Sequence, residues 1–329
     1  MKKILCSILI LTMFCGMFTA CGKDEKLEKI QLTEVAHSIF YAPMYVAIEE
    51  GYFEEEGIDL ELVNGLGADK TMTAVLSGEA QIGFMGSEAS VYVYNEGAED
   101  YVVNFAQLTQ RAGNFLVSRE QEQDFKMTDL KGKTVLGGRK GGMPQMVFEY
   151  ILKKYGMDPE KDLTIITNID FGMTAQAFAG GSGEYTVEFE PSATALEEEG
   201  NGYVVSSLGI ESGYVPYTAF SAKKSYMEEN PEVIEGFVNA LQKGMDYVNA
   251  HTPEEIAEII QPQFAETERD TLVTIITRYY EQDSWKENLV FEEDSYTLLL
   301  DILESAGELE KRPPYEDLVD NTYSKKAVK

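Results

Sequence analysis

Glu188 and Glu190 flank Phe189 at the end of the alternating run Tyr185-Thr-Val-Glu-Phe189. In a strand the pleat sends both carboxylates to one side and Val187 and Phe189 to the other. A carboxylate placed this way can accept two N–H bonds, the pattern an amino-substituted pyrimidine presents. Glu190 precedes Pro191 and can instead cap the next helix. A second group is the loop Gly137-Gly138-Arg139-Lys140-Gly141-Gly142 ahead of Pro144. Its backbone N–H groups and two bases can receive a phosphate, sulfonate or carboxylate, with Lys140, Gly141 and Gly142 as the expected contacts. The same loop can equally be a tight turn carrying two solvated bases. Ser87 and Glu88 open a helix after the run 81–85 and can line a facing wall. His37 can bond a ligand or shape its own loop. Phe40, Tyr41 and Tyr217 offer rings that either stack on a planar heterocycle or pack into a core.

Other chemistries lack their residues. His37 and His251 lie far apart, and the three cysteines, Cys6, Cys15 and Cys21, all fall within the first 21 residues, so a metal site of His and Cys is not expected. The glycine-rich loop matches neither the phosphate-cradling nor the dinucleotide fingerprint. There is no HExxH helix, no serine–histidine–acid spacing and no supported carboxylate pair, so the reading is a non-enzyme without cofactor. The chain has 329 residues, 57 acidic against 27 basic side chains and a formal charge of −30. Such an excess of acid argues against nucleic acid, which demands a basic footprint. At 44% hydrophobic and 11% aromatic residues, the chain can bury a sizeable core.

The elements that must position these groups come in a repeated order. Residues 1–20 read as a leader: Lys2 and Lys3, an apolar run from Ile4 to Phe18, then Thr19 and Ala20. Residues 21–29 read as a polar tether, with structure beginning at Ile30. Strands are expected at 30–35, 58–63 and 81–85, with helices opened by Pro43, by Asp69 and by Ser87 as caps. The order returns with strands at 133–136, 163–166 and 185–189 and helices opened by Pro144, by Thr174 and by Pro191. Strand–helix repeated three times, twice over, implies two α/β lobes with parallel sheets. The β-like stretches 102–117 and 203–220 would carry two crossings, near Phe115–Ser118 and Tyr214–Tyr217. That gives lobe 1 as 30–115 with 217–329 and lobe 2 as 116–216. Helices from Pro231 onward would pack back on lobe 1, with Trp285 structural. Ligands of open parallel sheets sit beyond the carboxyl ends of the strands, so the loops listed first would meet in one cleft.

Phe18-Thr19-Ala20-Cys21-Gly22 resembles a bacterial lipobox, in which the chain is cut before the cysteine and the cysteine takes a lipid. Residues 30–329 resemble a solute-binding protein of an ABC importer, in the group serving alkanesulfonates and the thiamine pyrimidine precursor. The resemblance rests on Phe40-Tyr41-Ala42-Pro43, Glu50-Gly51-Tyr52-Phe53, Leu76-Ser77-Gly78-Glu79-Ala80, Gly138–Gly142 and Glu188–Ser192. It implies a type II periplasmic-binding-protein fold and a monomer tethered through Cys21 to the outer face of the cell membrane. It also implies delivery of a small-molecule ligand to a membrane permease. Stacking aromatics with an acidic acceptor favour a planar nitrogen-containing solute; the alternative is a sulfonate such as taurine, or another small anion.

Overall fold

A computed structural model describes residues 27–170 and 172–328. The expected leader and Cys21 lie outside them. Ten strands form two five-stranded sheets. Strands β1 (Glu28–Glu34), β2 (Ile58–Asn64), β3 (Ile82–Gly86) and β4 (Val102–Gln107) belong to the first, and β5 (Asn114–Ser118), β6 (Thr134–Leu136), β7 (Thr164–Ile166), β8 (Tyr185–Phe189) and β9 (Tyr203–Ser207) to the second. β10 (Thr218–Lys223) returns to the first. The orders are β2-β1-β3-β10-β4 and β7-β6-β8-β5-β9, the same topology twice. These are two α/β lobes with a cleft between them.

Several expectations are corrected. Glu28 and Lys29, read as tether, begin β1 and pair with Ile58 and Asp59 of β2; backbone pairing does not require apolar side chains. Neither sheet is purely parallel: β10 runs antiparallel to β3 and β4, and β5 antiparallel to β8 and β9. Phe115–Ser118 is not a crossing but lies within β5, and the chain changes sheets upstream, between Gln107 and Asn114. The return runs between Ser207 and Thr218 and includes a short helix, Leu208–Ser212, absent from the sequence reading.

The helices follow their punctuation. Pro43, Pro144, Pro231 and Pro253 each sit in a first turn, where a missing N–H costs nothing. Helix Pro231–Ala250 carries Ile234, Phe237, Val238, Leu241, Met245 and Val248 on one face, all buried. Phe237 packs 5.4 Å from Phe220 of β10 and 5.9 Å from Phe105 of β4, and Phe220 stacks on Phe84 of β3 at 4.1 Å. The C-terminal helices pack on lobe 1 as expected, but one also reaches lobe 2. Arg278, on helix Arg269–Glu281, bonds Glu190 and Glu197 of lobe 2 at 2.7 Å each.

Near the cleft, His37 Nδ1 lies 2.8 Å from a Glu34 oxygen and Nε2 lies 2.8 Å from the Gln263 carbonyl. The Gln263 carbonyl can only accept, so Nε2 carries a hydrogen, and the Glu34 carboxyl partners Nδ1. Tyr45 donates to the second Glu34 oxygen at 2.6 Å, and Phe264 stacks on the imidazole at 4.6 Å. The hydrogen bond to Glu34 raises the His37 pKa above its ordinary value. The folded state therefore binds this proton more tightly than the unfolded chain. Its stabilisation is complete below the unfolded value of about 6.5 and fades as pH rises through the folded one. Melting temperatures across this range should show wild type losing its advantage over His37→Gln as pH rises; a constant difference would contradict the assignment.

Gly244 gives a test in which two effects compete. It sits mid-helix against helix Ala42–Glu49, and a Cβ there would fall 2.2 Å from the Pro43 carbonyl oxygen and 3.1 Å from Ala47 Cβ. Helix propensity favours alanine by about 1 kcal/mol, but backbone overlap costs roughly 1–3 kcal/mol in a packed interior. Gly244→Ala should lower the urea midpoint despite its better propensity.

Candidate ligand cleft

The parallel strands of both sheets end at the cleft, and the loops beyond them line a cavity of about 700 Å³, within the usual range for small-molecule sites of about 300–1,000 Å³. A side chamber of about 180 Å³ adjoins it, and the two share Arg139, Pro144 and Phe189. Tyr41, Met72 and Tyr92 line the main cavity from lobe 1, Met143 and Phe189 from lobe 2, and Tyr217 from the return crossing. Tyr41 is fixed by Phe84, edge-on at 4.5 Å, and its hydroxyl has no hydrogen-bond partner among the described residues. Tyr217 packs at 6.1 Å from Phe189 and donates its hydroxyl to Asn114 Oδ1. Burial raises the hydroxyl pKa of both tyrosines, so both stay protonated donors at neutral pH.

Glu88 is the buried acid of this cavity. It is 2% exposed, and burial pushes its carboxyl up to about 7, against the opposing pull of the Glu88 and Met143 N–H groups. One oxygen accepts a long 3.4 Å bond from Met143 N across the cleft, while the other is buried with no partner. The carboxylate lies over Gly86, where any Cβ would come within 2.6 Å of it, so the approach requires glycine. It also lies at the first turns of helices Glu88–Asn95 and Met143–Lys154, the position an external anion would seek.

The glycine-rich loop is correspondingly closed to anions. Lys140 N donates to Thr167 O, Gly141 N to Gln145 Oε1 at 2.9 Å, and Gly142 N to Arg139 O. Lys140, Gly141 and Gly142 line the cavity, but these N–H groups are spent inside the protein. Two cross-lobe contacts close the rim: Arg139 pairs with Asp69, and Tyr92 donates to Gly141 O at 2.8 Å.

The remaining expected residues separate by what they touch. Glu188 lines the side chamber, its oxygens accepting from Thr186 at 2.5 Å and Thr174 at 3.1 Å, and burial raises it to about 7. Glu190 also borders the chamber, but its carboxylate takes Arg278, the Thr194 hydroxyl and the Thr194 N–H. That is its capping alternative, reinforced by an ion pair. His37 borders the chamber with both nitrogens committed. Phe40 and Ser87 are corrections. Phe40 is fully buried between Tyr41 and Tyr279, outside both linings, and Ser87 turns away to donate to Pro216 O at 2.7 Å. His251 stacks on Tyr247 at 3.7 Å, and Trp285 Nε1 donates to Phe40 O at 2.8 Å.

Sequence reasoning missed Asn114, Phe189 and Tyr92. Alternation is expected to part Phe189 from the two acids, but Val187, Glu188, Phe189 and Glu190 all border the side chamber, and Phe189 borders the main cavity as well. Among the described residues no cluster of His, Cys, Asp or Glu could hold a metal ion, and no helix is long and apolar enough to cross a membrane.

A family model described as NMT1/THI5 like matches residues 39–256. YtlA of Bacillus subtilis (strain 168), whose name describes a binding protein, is 47% identical over 309 residues, covering 94% of this chain and 92% of its own length. A 4-amino-5-hydroxymethyl-2-methylpyrimidine phosphate synthase of Candida albicans (strain WO-1) is 24% identical over 237 residues, 67% of this chain and 66% of its own. The solved structure of the alkanesulfonate-binding protein SsuA from Xanthomonas axonopodis pv. citri, bound to MOPS, superposes with a TM-score of 0.72 at 14% identity, covering 89% of this chain and 98% of that one. With the duplicated sheets and the cleft of the type II periplasmic-binding-protein fold, the chain belongs to the NMT1/THI5-like family.

Proposed function

We propose that the cleft captures a small planar nitrogen-containing solute resembling the thiamine pyrimidine precursor. The protein, tethered through lipidated Cys21 on the outer face of the cell membrane, then hands it to an ABC permease. The observation that carries this reading is Glu88, a sealed carboxylate with an unpartnered oxygen in an aromatic-walled cavity. A buried polar atom without a partner is costly, and an aminopyrimidine that takes a proton on the ring nitrogen beside its exocyclic amine presents two N–H donors in the geometry a carboxylate accepts. Tyr41, Tyr92 and Tyr217 give such a ring flat apolar surface. The name of the Candida albicans relative supports the ligand class. Sulfonate binding draws support from the SsuA likeness. It meets a carboxylate at the two helix starts and spent N–H groups in the glycine loop, so the pyrimidine is favoured.

Thermal-shift measurements with 4-amino-5-hydroxymethyl-2-methylpyrimidine and with taurine decide between them, because a ligand bound only by the folded state raises the melting temperature. The pyrimidine should stabilise the protein. Stabilisation by taurine alone would reverse the assignment. Glu88→Gln keeps the shape and removes the charge. It should weaken pyrimidine binding roughly tenfold to a hundredfold by calorimetry, the worth of a hydrogen bond to a charged group.

A further inference from the structure

The side chamber has no part in the reading so far. It borders Phe189, shares Arg139, Pro144 and Phe189 with the main cavity, and at about 180 Å³ holds several atoms. Four titratable groups line it, and each is committed, Arg139 by its pair with Asp69. His37 is bonded at both nitrogens, Glu188 takes one threonine hydroxyl on each oxygen, and Glu190 is neutralised by Arg278. Asn114 is not committed. It is 1% exposed, it lines the chamber, and its Nδ2 is buried without a partner. The amide stands with its oxygen toward Tyr217, whose buried hydroxyl donates to Asn114 Oδ1. With the oxygen spent, the NH₂ is what remains to offer.

We propose that this chamber is a second ligand subsite, in which Asn114 donates to an uncharged acceptor atom on an arm of the solute. The acids Glu188 and Glu190 disfavour an anionic arm, and the cation in the lining, Arg139, is already paired with Asp69. A cationic arm would find both Glu188 oxygens already hydrogen-bonded. A carbonyl oxygen or ring nitrogen meets neither obstacle. The inference rests on the proposed function only in placing the solute's ring in the main cavity; the donor and its chamber are independent of the ring's chemistry.

Two measurements test it. The first compares 4-amino-2-methylpyrimidine-5-carboxamide with 4-amino-2,5-dimethylpyrimidine by calorimetry. Wild type should prefer the carboxamide by about fivefold to tenfold, the worth of one neutral hydrogen bond. Asn114→Asp keeps the acceptor for Tyr217 and replaces the donor, so it should abolish that preference, read as the ratio of the two affinities. Equal binding of both by wild type, or a preference that survives Asn114→Asp, overturns the proposal. If neither compound binds, the pyrimidine reading fails and the second measurement decides the subsite alone. The Asn114 side-chain amide resonance, identified by its loss in Asn114→Asp, is followed by NMR during titration with acetamide and with acetate. It should move with acetamide only; no movement, or equal movement with acetate, overturns the proposal.

Discussion

The antiparallel strand inside each sheet is the constraint on which the rest of the molecule depends. Parallel strands deliver their carboxyl ends, and the loops beyond them, to the cleft. A chain that must leave one sheet and enter the other starts its next strand at that same cleft, and from there it can only run away from it. β5 and β10 do this, pairing antiparallel with β8 and β3. Their first residues, Asn114 and Thr218, are therefore fixed at the mouth between the lobes. Tyr217, one residue before β10, is brought to Asn114 by the same geometry, and the bond between them ties the two crossings together.

Electrostatics inside the cleft run against the simplest expectation for a helix start. Two helices aim their first turns at one place, and two bases stand at the rim, which would suit an incoming anion. The chain instead fills that place with its own Glu88 and spends the loop N–H groups on Gln145, Arg139 and Thr167. Burial without a counter-charge leaves Glu88 poised near neutrality, so a partner bearing N–H groups finds an acceptor already desolvated. Where the protein needs a settled carboxylate, at Glu190, it supplies Arg278 and a cap.

Much of the fold was legible because it is written locally. β8 was read at its observed bounds, and Pro43, Pro144, Pro231 and Pro253 marked helix starts, because strand alternation and proline's missing N–H act over a few residues. The tether boundary erred where Glu28 and Lys29 pair by backbone alone. The cleft was less legible because its decisive contacts are distant. Asn114 meets Tyr217 across 103 residues, and Arg278 reaches Glu190 across 88. Ser87 and Phe40 sit in the right loops, but the direction of a side chain is decided by what packs behind it, Pro216 in one case and Tyr279 in the other.

The two sheets repeat one topology, so the third strand of each lobe, β3 or β8, is followed by an acid at the start of a helix: Glu88 in one half and Glu190 in the other. The halves treat this shared position oppositely. One acid is locked into the architecture by a cation borrowed from the far lobe, and its twin is left with an open valence. A body of two like halves thus has a polarised interior: one acid is saturated by an arginine and a cap, and its twin keeps an unsatisfied oxygen.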